Sequence, residues 1–287
     1  MEVQGLTLRW IYGACYEIVL PNGKVIVTDP FITPEKLEGF NIDEITGADY
    51  VLCTHTHYDH TADIGYLLNK FKGSRTDSQP MSISAADQPK LIAGEMSIPA
   101  LCEFFNLDYS FCYPIVSGET YEFKDFTLQA FRAKHVGHPA GKSTPELAPQ
   151  TSAAKYSIKG HGECDKLGWL EEYDYVITTR NNLTIMIVAG VPVYSNIYKV
   201  AERIRPNVVI RQTFGQPEDY AKLLSGFSAQ LYFPNHHEHL REQFGISAEE
   251  YLSRARKTLQ QLNPYCNLVN PTAYQWYSIS LSVQPFE

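Results

Sequence analysis

Four potential metal ligands fall within six residues, at positions 55, 57, 59 and 60 of the run His55-Thr56-His57-Tyr58-Asp59-His60. The run follows Tyr50-Val51-Leu52-Cys53, a short apolar segment that reads as a buried strand, and precedes Ala62 to Phe71, which reads as a helix. This is the strongest constraint in the chain, because a fold that uses the cluster must carry a strand to an edge where other segments add ligands. In extended backbone, side chains two apart point the same way, so His55 and His57 can share one ion. A turn beginning at Asp59 swings Asp59 and His60 toward a second position. Imidazole together with carboxylate suits zinc, manganese or iron.

The surrounding sequence alternates strands and helices. Leu6 to Ile11, Cys15 to Leu20 and Val25 to Val27 read as strands, with a hairpin turn at Asn22-Gly23, where both residues tolerate positive φ. Ser82 to Ser84 reads as a strand and Asp87 to Met96 as a helix, followed by a helix from Pro99 to Leu107. Tyr121 to Phe131 forms two strands that turn at Lys124-Asp125 and lead to His135. Residues 139–168 are rich in Gly, Pro, Ser, Thr and Lys and too long for an ordinary connection, so they read as an insertion or lid. Tyr175 to Thr179 pairs with Leu183 to Ala189, and Ser195 to Ile204 is a helix. Val208 to Ile210 and Leu231 to Phe233 are buried strands, Ser247 with Glu250 caps a helix to about Leu262, and Trp276 to Val283 is a last strand. Two halves result, with no hydrophilic linker between them. The layout predicts one α/β domain over residues 1–287, two sheets packed face to face with helices outside.

Composition narrows the function. Hydrophobic residues make up 44% of 287, enough for a large core, and net charge is -8. That balance, with a pI near 5.6, argues against a broad basic surface for nucleic acid. It leaves room for a small cationic pocket. No run approaches the roughly 20 apolar residues needed to span a bilayer, and Met1-Glu2-Val3-Gln4-Gly5 lacks the basic and apolar pattern of a secretory signal. Six cysteines form no C-x-x-C pair. Reduced thiols in a cytoplasmic protein are the expectation.

The H-x-H-x-D-H run after an apolar strand resembles the signature of the metallo-β-lactamase superfamily. The chain looks like its branch of ascorbate-6-phosphate lactonase and N-acyl-phosphatidylethanolamine phospholipase D relatives. Gly13-Ala14-Cys15-Tyr16-Glu17-Ile18 and Val27-Thr28-Asp29-Pro30 resemble the opening strands of that branch. His135, after Thr127-Leu128-Gln129-Ala130, matches its next metal-binding histidine, and Pro234-Asn235-His236 its last. The resemblance implies a four-layer αββα sandwich and a metal-dependent hydrolase holding one or two divalent ions, zinc first, manganese or iron as alternatives. It implies a first metal position of His55, His57 and His135, and a second of Asp59, His60 and His236. Asp29 would orient ligands from behind. Asp59 would orient the nucleophile and accept its proton.

One position departs from the pattern. Val191, after Ile187-Val188-Ala189-Gly190, stands where the family usually has an aspartate bridging both metals, and Asp174 and Asp219 are out of register. One metal, two metals bridged only by water or substrate, and a degenerate non-catalytic binding protein all stay open. The second position is expected to be the weaker. Of the other histidines, His138, His161, His237 and His239 read as surface or rim groups, with His237 an alternative to His236 as ligand. His237-Glu238-His239 lacks the zincin spacing because position 241 is arginine. The expected substrate is a small ester, lactone or phosphoester, phosphorylated small molecules included. Arg211 is a candidate to bind its anion, and Lys142, Lys155 and Lys159 are weaker candidates. A ribonuclease of the same superfamily is disfavoured by the acidic balance.

Overall fold

The computed structural model describes residues 2–35, 37–72, 89–135, 162–191 and 195–282. Two seven-stranded sheets stack face to face. The first runs in the order β14 (Tyr277–Ser282), β1 (Glu2–Tyr12), β2 (Cys15–Val19), β3 (Val25–Thr28), β4 (Tyr50–Leu52), β5 (Lys90–Gly94) and β6 (Cys112–Ile115). The second runs β13 (Asn267–Leu268), β12 (Leu231–Asn235), β11 (Val208–Gln212), β10 (Thr184–Val188), β9 (Glu172–Thr179), β8 (Phe126–Ala133) and β7 (Thr120–Glu122). β3 to β6 pair in parallel, as do β10 to β13, and the remaining pairs are antiparallel.

The period-two pattern of the strands builds three cores. In β10, Ile185 and Ile187 face the other sheet, while Met186 and Val188 face the helices outside. Both faces are covered, so the strand is apolar from Ile185 to Val188. Tyr16, Ile18, Ile26, Leu128, Tyr175 and Phe233 fill the space between the sheets. Outside the first sheet lie α2 (Ile64–Lys70) and α3 (Ser97–Phe105), whose Leu67, Leu68, Ile98 and Leu101 pack on Val27, Val51 and Leu91. Outside the second lie α5 (Ser195–Ile204), α6 (Pro217–Ser225) and α8 (Ala248–Leu262), through Ile197, Ala201, Tyr220, Leu224, Tyr251 and Leu259. The layers are those of the αββα sandwich.

Most expected elements are present within a few residues. Ser247 caps α8 by accepting the Glu250 backbone N–H at 3.1 Å. Three readings change. The segment expected as a helix, Asp87 to Met96, holds strand β5 at Lys90–Gly94. Its Leu91, Ile92 and Ala93 are buried in a central strand, and a short run buried on both faces has no alternation to separate strand from helix. The turn after β2 has only Gly23 at positive φ, +84°, with the Gly23 N–H donating to Leu20 C=O. It is a four-residue turn closed by a left-handed glycine rather than a two-residue Asn-Gly turn. Helix α6 was not expected. The strand at Ser82 to Ser84 and residues 139–161 of the insertion lie outside the described residues. No helix among the described residues is long and apolar enough to cross a membrane.

Candidate metal centre

The ends of β4, β8, β10 and β12 meet at one edge of the sandwich, the edge at which α/β folds bind ligands. β4 leads into the His55 run, β8 into His135, β10 into Val191 and β12 into His236. His55 forms an isolated antiparallel bridge with Glu172 at the start of β9, which stitches the first sheet's loop to the second sheet. Helix α4 (Gly162–Leu170) clamps the run from outside. Thr56 Oγ1 donates to the Cys164 carbonyl, and the Tyr58 N–H at the start of α1 (Tyr58–Thr61) donates to Asp165 Oδ1 at 3.0 Å.

Two clusters form. Ligand atoms of His55, His57 and His135 lie within 4.8 Å of one another, and so do those of Asp59, His60 and His236. His55 Nε2 is 3.1 Å from His57 Nδ1, and His60 Nε2 is 3.3 Å from His236 Nε2. Asp59 Oδ2 lies 3.8 Å from His60 Nε2. The structure thus brings together all six residues expected from the sequence.

The groups behind the histidines fix which nitrogen faces inward. Asp29 accepts the Thr54 N–H (2.7 Å) and the Thr54 hydroxyl (2.8 Å), and its Oδ2 is 3.1 Å from His60 Nδ1. The same Thr54 Oγ1 lies 3.1 Å from His55 Nδ1. One buried carboxylate therefore orients both imidazoles, the arrangement in which outer groups set tautomer and ring direction. Asp29 holds φ at +40°, uncommon for a non-glycine residue. His236 is also left-handed, φ +50°, and its N–H donates to the Gly13 carbonyl at 3.2 Å. Its Nδ1 is 3.5 Å from Glu238 Oε1.

Electrostatics follow from burial and crowding. Burial, then the neighbouring histidines, pushes the His55 imidazole well below its ordinary pKa, so it stays neutral, the ligating form. Burial works to raise the Asp59 carboxyl, but His60, His236 and the other imidazoles outweigh it and hold the carboxyl below its usual range. At His236 burial opposes charge, and Glu238 together with Asp59 and Asp29 more than offsets it, leaving the pKa raised. His237 is different: it stacks on Trp10 at 4.0 Å between centroids, and burial pushes it down to about 4. Of the two candidates at the end of β12, His236 is the one in the cluster.

The site has walls that sequence reading missed. The Trp169 ring packs edge-on against His57 and His135, each at 4.6 Å. Gly168 touches His57 so closely that a Cβ there would sit 2.5 Å from His57 Cδ2. Glu172 and Glu238 also escaped notice, since only the fold brings them near the histidines. Val191 is buried, and its N–H donates to the Lys134 carbonyl at 2.9 Å, one residue before His135. Arg211 is fully buried beneath the sheet end, with Nη1 3.4 Å from the Val188 carbonyl and Asp174 and Glu172 nearby. It presents no open surface to a substrate anion. His138, His161, Lys142, Lys155 and Lys159 lie outside the described residues. His239 is half-buried beside Glu238 and Glu242.

The donor set fits a cation. Ring nitrogens 3.1 Å apart need a proton between them, and with three converging on one point no placement of protons pairs them all. A cation meets every lone pair at once, and nitrogen with carboxylate oxygen suits zinc, manganese or iron.

The chain resembles known proteins over most of its length. It is 24% identical over 238 residues to a UPF0173 metal-dependent hydrolase of Cupriavidus metallidurans, covering 79% of this chain and 72% of that one. To a homologous hydrolase of Koribacter versatilis it is 32% identical over 70 residues, 24% of this chain and 30% of the other, so it spans under a third of that relative. Among solved structures, Igni18, a metallo hydrolase of Ignicoccus hospitalis, superposes with a TM-score of 0.62 at 12% identity, over 97% of this chain and 99% of that one. The family described as the Beta-lactamase superfamily domain matches residues 7–212. With that match over more than half its length and this sandwich of sheets, the chain belongs to the metallo-β-lactamase superfamily.

Proposed function

We propose that the chain is a metal-dependent hydrolase acting on a small ester, lactone or phosphoester, and that its six clustered side chains hold one or two divalent ions. The observation that carries this reading is the convergence of imidazole nitrogens within 4.8 Å of one another in each cluster. Zinc is the first choice of metal, manganese and iron the alternatives. When bound, the metal supplies a more acidic water and polarises the electrophile. The residues supply the rest. His55, His57 and His135 form the first position, and His60 and His236 with Asp59 the second. Asp59, half-buried at the mouth and ionised below the usual carboxylate range, orients the attacking water and accepts its proton. Trp169 covers one side of the first cluster, packed edge-on against His57 and His135.

A phosphorylated lactone or a phosphodiester is the finer substrate reading, resting on the resemblance of the opening strands and the Pro234-Asn235-His236 turn. We read residues 1–287 as one domain, located in the cytoplasm, with the described end of the 139–168 segment, inside the helix Gly162–Leu170, forming part of the pocket wall. Its end supports this, since Gly168 lies against His57. Val191 favours one second reading, a non-catalytic member that binds metal or ligand without turnover.

Metal analysis of purified protein, coupled to a screen of lactones, phosphodiesters and phosphomonoesters, tests both. The hydrolase reading expects metal-dependent turnover of at least one class, lowered about 10²–10⁴-fold in Asp59→Asn, the usual loss on removing a general base. Metal uptake without turnover of any class favours the binding protein, and no metal uptake removes both.

A further inference from the structure

Val191 leaves the two clusters without a shared carboxylate, yet a carboxylate stands on the neighbouring strand. Glu172 opens β9, pairs with Ala133 at the end of β8, and bridges to His55. It therefore sits where the His55 run and the strand leading to His135 come together. The side chain is 4% exposed, with Oε1 3.7 Å from His55 Nδ1. Oε2 is buried with no hydrogen-bond partner among the described residues. Two cavities reach it: one of about 240 Å³ beside His135 and Trp169, and one of about 10 Å³ shared with Asp29, His55, His60 and Asn235. The smaller has room for about one water.

A buried carboxyl with an unused oxygen is costly unless positive charge stands near it. Arg211 does not neutralise it by contact. The described residues show no ion pair between them, and Arg211 Nε and Nη2 have no hydrogen-bond partner either. Glu172 Oε1 lies 3.7 Å from Nδ1 of His55, whose other nitrogen, Nε2, points into the first cluster. The charge is thus placed behind the one cluster that contains no carboxylate of its own.

We propose that Glu172 is a positioning residue of the first metal position, supplying from β9, behind His55, the negative charge that Val191 cannot supply from the end of β10. An anionic group behind a ligating imidazole raises its basicity and offsets the charge of the ion. Thr54 already fixes the tautomer of His55, so the role of Glu172 is electrostatic rather than a hydrogen bond, in keeping with the 3.7 Å separation.

The proposal rests on the metal-centre reading, and one experiment separates the two. Metal-free full-length protein is titrated with Zn²⁺ in competition with a chromophoric chelator. If His57→Ala takes up as much zinc as the unmodified protein, or if neither binds any, the metal-centre reading falls and takes the proposal with it. Where uptake depends on His57, Glu172→Gln should bind zinc about 10- to 100-fold more weakly. The melting temperature of the metal-free protein should not fall, because glutamine keeps the volume. Adding Val191→Asp to that variant should recover most of the lost affinity. Should Glu172→Gln yield no folded protein, Glu172→Asp serves instead, with the charge on a shorter arm and a loss of a few fold. Zinc affinity equal to that of the unmodified protein in whichever variant folds overturns the proposal, as does a lowered metal-free melting temperature with unchanged affinity, the pattern of a merely structural residue.

Discussion

The two candidate metal positions are built from opposite materials. The first, His55 with His57 and His135, has no carboxylate among its three members and is walled by Trp169 and the bare backbone of Gly168. The second contains Asp59, and each of its imidazoles is backed by a carboxylate, His60 by Asp29 and His236 by Glu238. The first is the more enclosed, with His55 and His57 both buried, whereas Asp59 and His236 are partly open. The comparison teaches that losing a shared carboxylate is not felt equally. The second position carries its own negative charge but is more open to solvent. The first is more enclosed and depends on charge brought from a neighbouring strand. Unequal affinities are the expected result, the enclosed position being the tighter, and two equally tight ions in the unmodified protein would break the comparison.

The largest effect should come from restoring the shared group. Val191→Asp places a carboxylate at a residue whose N–H is held by Lys134, next to His135. Zinc affinity of the weaker position should rise about tenfold or more, the scale on which neighbouring groups tune metal sites. Val191 is 1% exposed, so without metal the new charge is buried and unpaired, and the metal-free protein should melt lower. Opposite signs with and without zinc, read by melting curves, are the signature. A variant that melts lower under both conditions would show that position 191 does not reach the metals.

How much of this was legible in the sequence depends on the distance over which each feature is written. His55, His57, Asp59 and His60 lie within one turn of chain, so their spacing alone declares them. His135 and His236 were found through the resemblance, since nothing local separates them from other strand-end histidines. Glu172 and Glu238 were not found at all. Glu172 is near His55 only because β8 and β9 pair in a register that sets it opposite Ala133. Glu238 lies in the run His237-Glu238-His239, which lacks the zincin spacing, so nothing local marks it. The strand at Lys90–Gly94 was misread because burial on both faces erases periodicity, while the Ser247 cap was legible because capping is a contact three residues long. Arg211 shows the limit in the other direction: its place at a strand end was right, and its direction, inward and fully buried, was not written locally.

Glycines sharpen the comparison, one beside each cluster. A Cβ on Gly168 would lie 2.5 Å from His57 Cδ2 and 2.8 Å from its backbone nitrogen. Ring and backbone would both have to move. Gly168→Ala should cost about 1–3 kcal/mol, the range for overpacking, and weaken zinc at the first position several-fold. A Cβ on Gly13 would clear His236 Cε1 by 3.6 Å. Its φ of +52° still penalises a side chain, by about 1–2 kcal/mol, so Gly13→Ala should lower stability without moving zinc affinity. Equal zinc affinities in the two variants would show that the tight contact on His57 does not shape the first position.

The smallest effect concerns the strand end between the clusters. Asp174 Oδ1 accepts the N–H groups of Ala189 and Gly190, at 2.9 and 3.0 Å, which anchors the two residues before Val191. Burial, only partly opposed by these bonds and by Arg211, pushes its carboxyl up to about 6. An unfolded aspartate ionises near 3.9, so between about pH 4 and 6 the unfolded chain has released a proton that the folded chain still holds. The unfolded state binds fewer protons there, and stability falls as pH rises through this window. Two units correspond to about 3 kcal/mol at most, an upper bound that relaxation around the carboxyl reduces. Glu172, also raised by burial while no metal is bound, adds a slope of the same sign, and a cation held at the first position would favour its ionised form. Asp174→Asn keeps an oxygen to accept both N–H groups but has no proton to lose. Urea unfolding of metal-free protein from pH 4 to 7 should show a shallower decline in Asp174→Asn than in the unmodified chain, the remainder belonging to Glu172. An identical decline in both would mean that Asp174 is ionised throughout, and that the strand end carrying Val191 rests on a charged carboxylate facing Arg211 rather than a neutral acid.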